Sequence, residues 1–159
     1  MDDPSLAENG WMVTMALKKS AHELVDAAEA KIKTLGVKEA LECLDDKDCQ
    51  FVDIRDVREL DRDGMVPGAF HAPRGMLEFW IDPESPYHKD IFASGKTFVF
   101  YCRSGGRSAL ATKAVQDMGL EPVCHIGGGF TAWEEAGYPV SQRPRKKSQE
   151  KNKEKDKET

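Results

Sequence analysis

Phe98-Val-Phe-Tyr-Cys102-Arg-Ser-Gly-Gly-Arg107-Ser-Ala-Leu110 decides how the rest of the chain is read. An apolar, aromatic run ends at a cysteine. A short glycine-bearing turn with two arginines follows, then a segment rich in helix formers. That order predicts a buried strand over Thr97–Tyr101, a tight loop, and a helix starting near Gly106. It sets one sulfur at the mouth of a helix N-terminus, where backbone N–H groups have no partner inside the helix. A helix N-terminus and neighbouring arginines both favour thiolate, the reactive form of cysteine. Gly105 and Gly106 let the backbone curl into an anion nest, while Arg103 and Arg107 supply fork-shaped donors and Ser104 and Ser108 supply hydroxyls. The loop therefore reads as a cradle for an anion around a nucleophilic Cys102.

Working outward, the sequence before the loop alternates short apolar runs with helical patterns. Leu24, Ala27, Ala28, Ala30 and Ile32 form a stripe that starts behind Ser20, an N-cap candidate with Glu23 three residues on. Residues 31–35 read as a short strand, Val37–Leu44 as a helix, and Phe51–Ile54 as a buried strand. The run from Asp53 to Gly64 reads as a charged loop at a strand tip. Its Arg55 and Arg58 are candidate accessory substrate contacts; the plain alternative is local ion pairing with Asp56 or Glu59. A short strand is expected near Ala69–His71, and an apolar helical turn at Met76–Ile81. Residues 82–96 form a long polar loop holding His88, expected to run over the surface near the site. His88 itself reads as a solvated residue.

After the loop, Ala109, Ala111, Ala114 and Val115 mark a helix that ends near Met118-Gly119. Val123–Ile126 reads as a strand and Phe130–Glu135 as a helix. Cys124 is expected to be a buried structural thiol rather than a partner that resolves Cys102. His125 reads by default as a polar strand-end residue, with tuning of Cys102 as the alternative. Trp133 is a core candidate; Phe79 and Trp80 read equally as core or as an apolar wall by the site. Short strands alternating with helices argue an α/β fold, a central parallel sheet of about five strands with helices on both faces.

The chain has 159 residues, 40% hydrophobic and 32% charged, which suits one domain with tails. Residues 1–18 read as a flexible arm, 19–140 as the domain, and 141–159 as a disordered charged tail. Residues 141–159 carry eight basic and four acidic side chains, leaving the body at −9 within a net charge of −5. Such a body argues against a nucleic-acid partner, and no stretch is suited to a membrane. Cys43, Cys49, Cys102 and Cys124 form no C-x-x-C pair, so neither zinc nor a dithiol motif is signalled. Free thiols and the lack of a signal-peptide pattern point to the cytoplasm.

The loop Cys102-Arg-Ser-Gly-Gly-Arg107-Ser108 resembles the active-site loop of rhodanese-fold sulfurtransferases. Phe51-Val-Asp-Ile-Arg55 is similar to that family's strand ending in Asp-Val-Arg. Gly64-Met-Val-Pro-Gly-Ala69 is similar to its Gly-His-Ile-Pro-Gly-Ala segment, with Met65 at the usual His. Gly127-Gly-Gly-Phe-Thr-Ala-Trp133 and Gly137-Tyr-Pro-Val140 match its later landmarks, in order, over about residues 32–140. The resemblance implies transfer of sulfane sulfur from a small anionic donor, thiosulfate or a persulfide, through a Cys102 persulfide. The acceptor would be cyanide, a thiol or a protein. It implies Cys102 as nucleophile, Arg103, Ser104, Gly105, Gly106, Arg107 and Ser108 as donor-binding residues, and no cofactor or metal. The same scaffold hosts phosphatases and arsenate reductases, whose loops place five residues between Cys and Arg; here four separate Cys102 from Arg107. A docking or sulfur-carrier module without catalysis is the other alternative.

Overall fold

The computed structural model describes residues 16–144. Five strands form one parallel sheet: β1 (Lys33–Leu35), β2 (Cys49–Asp53), β3 (Phe70–His71), β4 (Thr97–Tyr101) and β5 (Val123–Ile126), in the order β1-β5-β4-β2-β3. Among the described residues the helices are α1 (Ala21–Glu29), α2 (Val37–Glu42), α3 (Val57–Asp63), α4 (Leu77–Ile81), α5 (Gly106–Asp117) and α6 (Gly129–Glu135), with 3-10 turns at Arg74–Met76 and Asp90–Ala93. The expected parallel α/β sheet is therefore present.

Strand alternation sorts the core into two layers. Phe98, Phe100 and Cys102 face one side with Val52, Ile54, Val123 and the α5 residues Ala111 and Val115. Val99 and Tyr101 face the other with Phe51, Cys124, Ile126 and the α6 residues Phe130 and Trp133. Each large apolar side chain so buried contributes roughly 1.5–3 kcal/mol relative to exposure. Trp133 is fully buried, and its indole N–H donates to the Pro139 carbonyl at 2.7 Å. Trp80 is only partly buried, edge-on to Phe70, while Phe79 stays exposed.

Local signals explain most boundaries. Ser20 caps α1, its Oγ accepting from the Glu23 N–H at 3.1 Å. Strands β4 and β5 span the expected residues. The segment read as a charged loop instead forms α3, because Asp56 and Glu59 make a reciprocal capping box on its first turn. Phe92, in the long loop 82–96, anchors that loop into the core against Phe98. His88, in the same loop, brings Nε2 to 3.7 Å of Asp90.

The described chain remains engaged past residue 140, where the charged tail was expected to begin. Met65 and Ser141 exchange backbone hydrogen bonds of 2.9 and 2.8 Å, and Arg143 pairs with Asp61 at 2.7 Å. The expected arm, up to residue 15, and the tail from residue 145 lie outside the described residues.

Strand order fixes the site. The connection leaving β2 runs to β3 on one side, and the one leaving β4 runs to β5 on the other. Their C-terminal loops part between β2 and β4, and such a crevice is where open parallel sheets hold ligands.

Candidate active site

Cys102 follows directly on β4 and is 1% exposed. After it the chain turns back sharply enough for α5 to begin four residues on. Gly105 makes this turn at φ +110°, a conformation that disfavours any side chain. The turn aims two backbone donors at the sulfur: the Gly105 N–H at 3.2 Å and the Ser108 N–H at 3.3 Å from Cys102 Sγ. The loop is clamped from the other side by α6. Phe130 N–H donates to the Cys102 carbonyl at 2.8 Å, and Thr131 N–H to the Arg103 carbonyl at 2.9 Å. Gly129 allows that approach, since a Cβ there would stand 2.5 Å from the Cys102 carbonyl oxygen.

Beneath the sulfur lies a chain of neutral groups. The thiol stands 3.5 Å from Ser108 Oγ, and Ser108 Oγ stands 2.9 Å from His125 Nδ1. His125 Nε2 is 3.1 Å from Thr34 Oγ1 across the β1–β5 register. Ser108 and His125 are completely buried. Burial holds the His125 pKa down at about 4, so the ring is neutral near pH 7. The tuning alternative thus has a geometric basis: His125 contacts the hydroxyl that contacts Sγ.

The two loop arginines differ from expectation. Arg107 forms a fork with Glu59, at 2.9 and 3.0 Å. That bond is the main reason the Glu59 pKa is lowered and the Arg107 pKa raised. Arg103 pairs with Asp63 at 2.9 Å and Glu134 at 3.6 Å. Both guanidinium groups, expected to reach for an anion, are held by carboxylates of α3 and α6. They fasten the loop to its neighbours, and partly exposed pairs of this kind contribute about 0–1 kcal/mol each. Ser104 is exposed on the loop, and Gly106 opens α5.

The two accessory candidates lie elsewhere. Arg55 is fully buried, bonded through Nε and Nη2 to Asp53 and through Nη2 to the Gly64 carbonyl at 2.7 Å. Its guanidinium lies 4.3 Å from the Phe130 ring centroid. Burial opposes its charge, but the Asp53 carboxylate outweighs that and its pKa is raised. Arg55 is thus enclosed between β2 and α6, with its donors turned to Asp53 and the Gly64 carbonyl. Arg58 is exposed and folds back onto its own N-cap, Asp56, at 3.0 Å, which is the local ion pair weighed as the plain reading. Sequence reasoning missed Glu59, Asp63 and Thr34 as neighbours of the loop. The Asp56-x-x-Glu59 capping spacing was the available signal for α3; nothing local marks Thr34.

Cys124 points away from this centre. Its Sγ lies 3.8 Å from the Phe98 carbonyl, four strand residues before Cys102. That separation is about 13 Å along a strand, so the two sulfurs are not placed to form a disulfide. Among the described residues, no His, Cys, Asp and Glu cluster is arranged to hold a metal ion, and no helix is long and apolar enough to cross a membrane.

Fold and loop together define the class, and comparison with known proteins gives the family. The Rhodanese-like domain model matches residues 36–136, so the chain belongs to that family of sulfurtransferases. It is 33% identical over 96 residues to a sulfurtransferase of Allochromatium vinosum, covering 60% of this chain and 81% of that protein. It is 32% identical over 104 residues to the putative sulfurtransferase YtwF of Bacillus subtilis, covering 65% and 89%. A solved structure from Rhodopseudomonas palustris, described as a protein of unknown function and possible tyrosine phosphatase, is 51% identical with a TM-score of 0.78, covering 80% of this chain and 98% of that one.

Proposed function

We propose that the chain transfers sulfane sulfur from thiosulfate or a persulfide, through a persulfide on Cys102, to cyanide, a thiol or a protein acceptor. The observation that carries this reading is the convergence of the Gly105 and Ser108 N–H groups on a nearly sealed Sγ at the start of α5. Such donors stabilise negative charge where it develops. The Cys102 thiolate attacks the outer sulfur of thiosulfate. The new Cys102 S–S bond forms as the old S–S bond breaks, and its electron pair leaves with sulfite. A thiolate or cyanide then attacks the terminal sulfur, and Cys102 departs as thiolate into the same two donors. In this reading the loop from Arg103 to Ser108 receives the anionic donor through its backbone. Arg103 and Arg107 contribute field and recruitment rather than direct contact while paired with carboxylates. No step calls for a metal or organic cofactor. The unpaired thiols suit a reducing compartment such as the cytoplasm.

A second reading, phosphatase, is favoured by the description of the Rhodopseudomonas palustris relative. Against it, four residues rather than five separate Cys102 from Arg107, and the Arg107 fork is occupied by Glu59. Assays of wild type and Cys102→Ser with thiosulfate plus cyanide, and with an aryl phosphate, separate the two. Thiocyanate formation that disappears in Cys102→Ser is the expected result. Cys102-dependent phosphate release without thiocyanate would overturn it.

A further inference from the structure

The Cys102–Ser108–His125–Thr34 chain links a buried sulfur to the surface. Cys102 is 1% exposed and Ser108 and His125 are 0% exposed, whereas Thr34, on edge strand β1, is exposed. All four lie on the α5 side of the sheet or on α5 itself: residues 98, 100 and 102 share that face, and His125 is the register partner of both Phe100 and Thr34. We propose that Ser108, His125 and Thr34 form a hydrogen-bond relay that passes the Cys102 thiol proton to solvent at Thr34 and, in the same shift, turns its donors toward the sulfur. The inference rests on Cys102 acting as a thiolate in the reaction proposed above. His125 and Thr34 are positioning residues, since they act through Ser108.

The proton count closes. In the thiol state, S–H donates to Ser108 Oγ, the Ser108 hydroxyl to His125 Nδ1, the His125 Nε2–H to Thr34 Oγ1, and the Thr34 hydroxyl to water. Each proton moves one place along. The thiol proton becomes the Ser108 hydroxyl, now donating to S⁻. The former Ser108 proton sits on His125 Nδ1 and donates to Ser108 Oγ. The Nε2 proton becomes the Thr34 hydroxyl, now donating to Nε2, and the former Thr34 proton leaves to water. One proton departs and the sulfur keeps the electron pair. The ring is neutral before and after. Its buried surroundings disfavour imidazolium, with burial alone lowering its pKa, so the proton passes through and does not rest there. The charged groups on the other side are Arg107 with Glu59, and Arg103 with Asp63 and Glu134; these bear on Cys102 from α3, α5 and α6.

The test is site-resolved alkylation of Cys102 by iodoacetamide as a function of pH, read by peptide mass spectrometry. It needs no sulfur donor, so it succeeds or fails independently of the sulfur-transfer assay. His125→Leu removes the Nδ1–H donor behind Ser108. Its Cys102 is expected to react about tenfold more slowly at pH 7 and at the wild-type rate well above its shifted midpoint, the size of one hydrogen bond to a charged group. His125→Asn, whose amide N–H occupies the place of Nδ1, is expected to restore most of that loss. Thr34→Val replaces an exposed hydroxyl by a methyl and is expected to slow the reaction about threefold, with Thr34→Ser close to wild type. Unshifted pH profiles in Thr34→Val and His125→Leu would overturn the relay. So would His125→Asn reacting as slowly as His125→Leu while melting like wild type, because a donor kept at the place of Nδ1 would then have no bearing on the Cys102 sulfur. If His125→Leu does not fold, the Thr34 pair and His125→Asn still decide.

Discussion

The two ends of the sheet both hold cysteines, and the protein treats them oppositely. At the C-terminal end, Cys102 receives two backbone N–H groups from the start of α5. At the N-terminal end, Cys49 and Cys124 meet carbonyl, thiol and carboxylate neighbours. Burial first, then Cys43 and Asp46, pushes the Cys49 thiol up to about 12, and burial chiefly pushes Cys124 up to about 11. The residue type is the same, and Cys102 and Cys124 are both buried while Cys49 is partly buried; what differs is the polar group turned toward each sulfur. Parallel strands send the helix starts that follow them to one end, so unpartnered backbone N–H groups converge on a sulfur at that end.

The largest expected effect comes from breaking the favoured end. Cys102→Ser should reduce sulfur transfer at least about a thousandfold, because the proposed nucleophile itself is lost. Cys49→Ser and Cys124→Ser should stay within about threefold of wild type in the same thiocyanate assay, since neither faces the site. A strong loss in Cys124→Ser without a matching loss of stability would dissolve the contrast. Next comes the buried support under the site. Asp53→Ala leaves Arg55 charged and buried without its carboxylate, and should cost about 3–5 kcal/mol in urea unfolding.

A pH titration of stability sharpens the same comparison. The His125 pKa is lowered to about 4 from an ordinary 6.5, so the unfolded chain binds a proton before the folded one does. Stability should therefore be full above about pH 6.5 and fall as pH drops toward 4, by roughly 3 kcal/mol from this group. His125→Asn should flatten that part of the curve, measured as urea midpoints between pH 7 and 4. The smallest effect is expected at the loop rim. Glu59→Gln weakens the partly exposed pair with Arg107 and should change stability by less than about 1 kcal/mol.

Much of this contrast was legible in the sequence. Thr97–Tyr101 and Val123–Ile126 coincide with their strands because apolar runs bounded by polar or glycine-bearing turns have few alternatives. Cys102, Gly105 and Ser108 were legible because strand, turn and helix start are adjacent along the chain. α3 was not, because Val57 and Leu60 are its only apolar residues and no stripe forms. The arginine directions were equally hidden. Arg103 and Arg107 look like anion donors until α3 folds and presents Glu59 and Asp63. The relay was the least legible part, since Thr34, His125 and Ser108 meet only once β1 pairs with β5 and α5 covers both.

In the proposed reaction the transferred sulfur is carried on Cys102. Intact-protein mass spectrometry after incubation with thiosulfate tests this most directly, on wild type, Cys102→Ser and the Cys43, Cys49 and Cys124 serine variants. One added sulfur mass is expected on every protein except Cys102→Ser, and cyanide should remove it. An adduct that persists in Cys102→Ser, or no adduct on wild type, would contradict the assignment of Cys102 as the sulfur carrier.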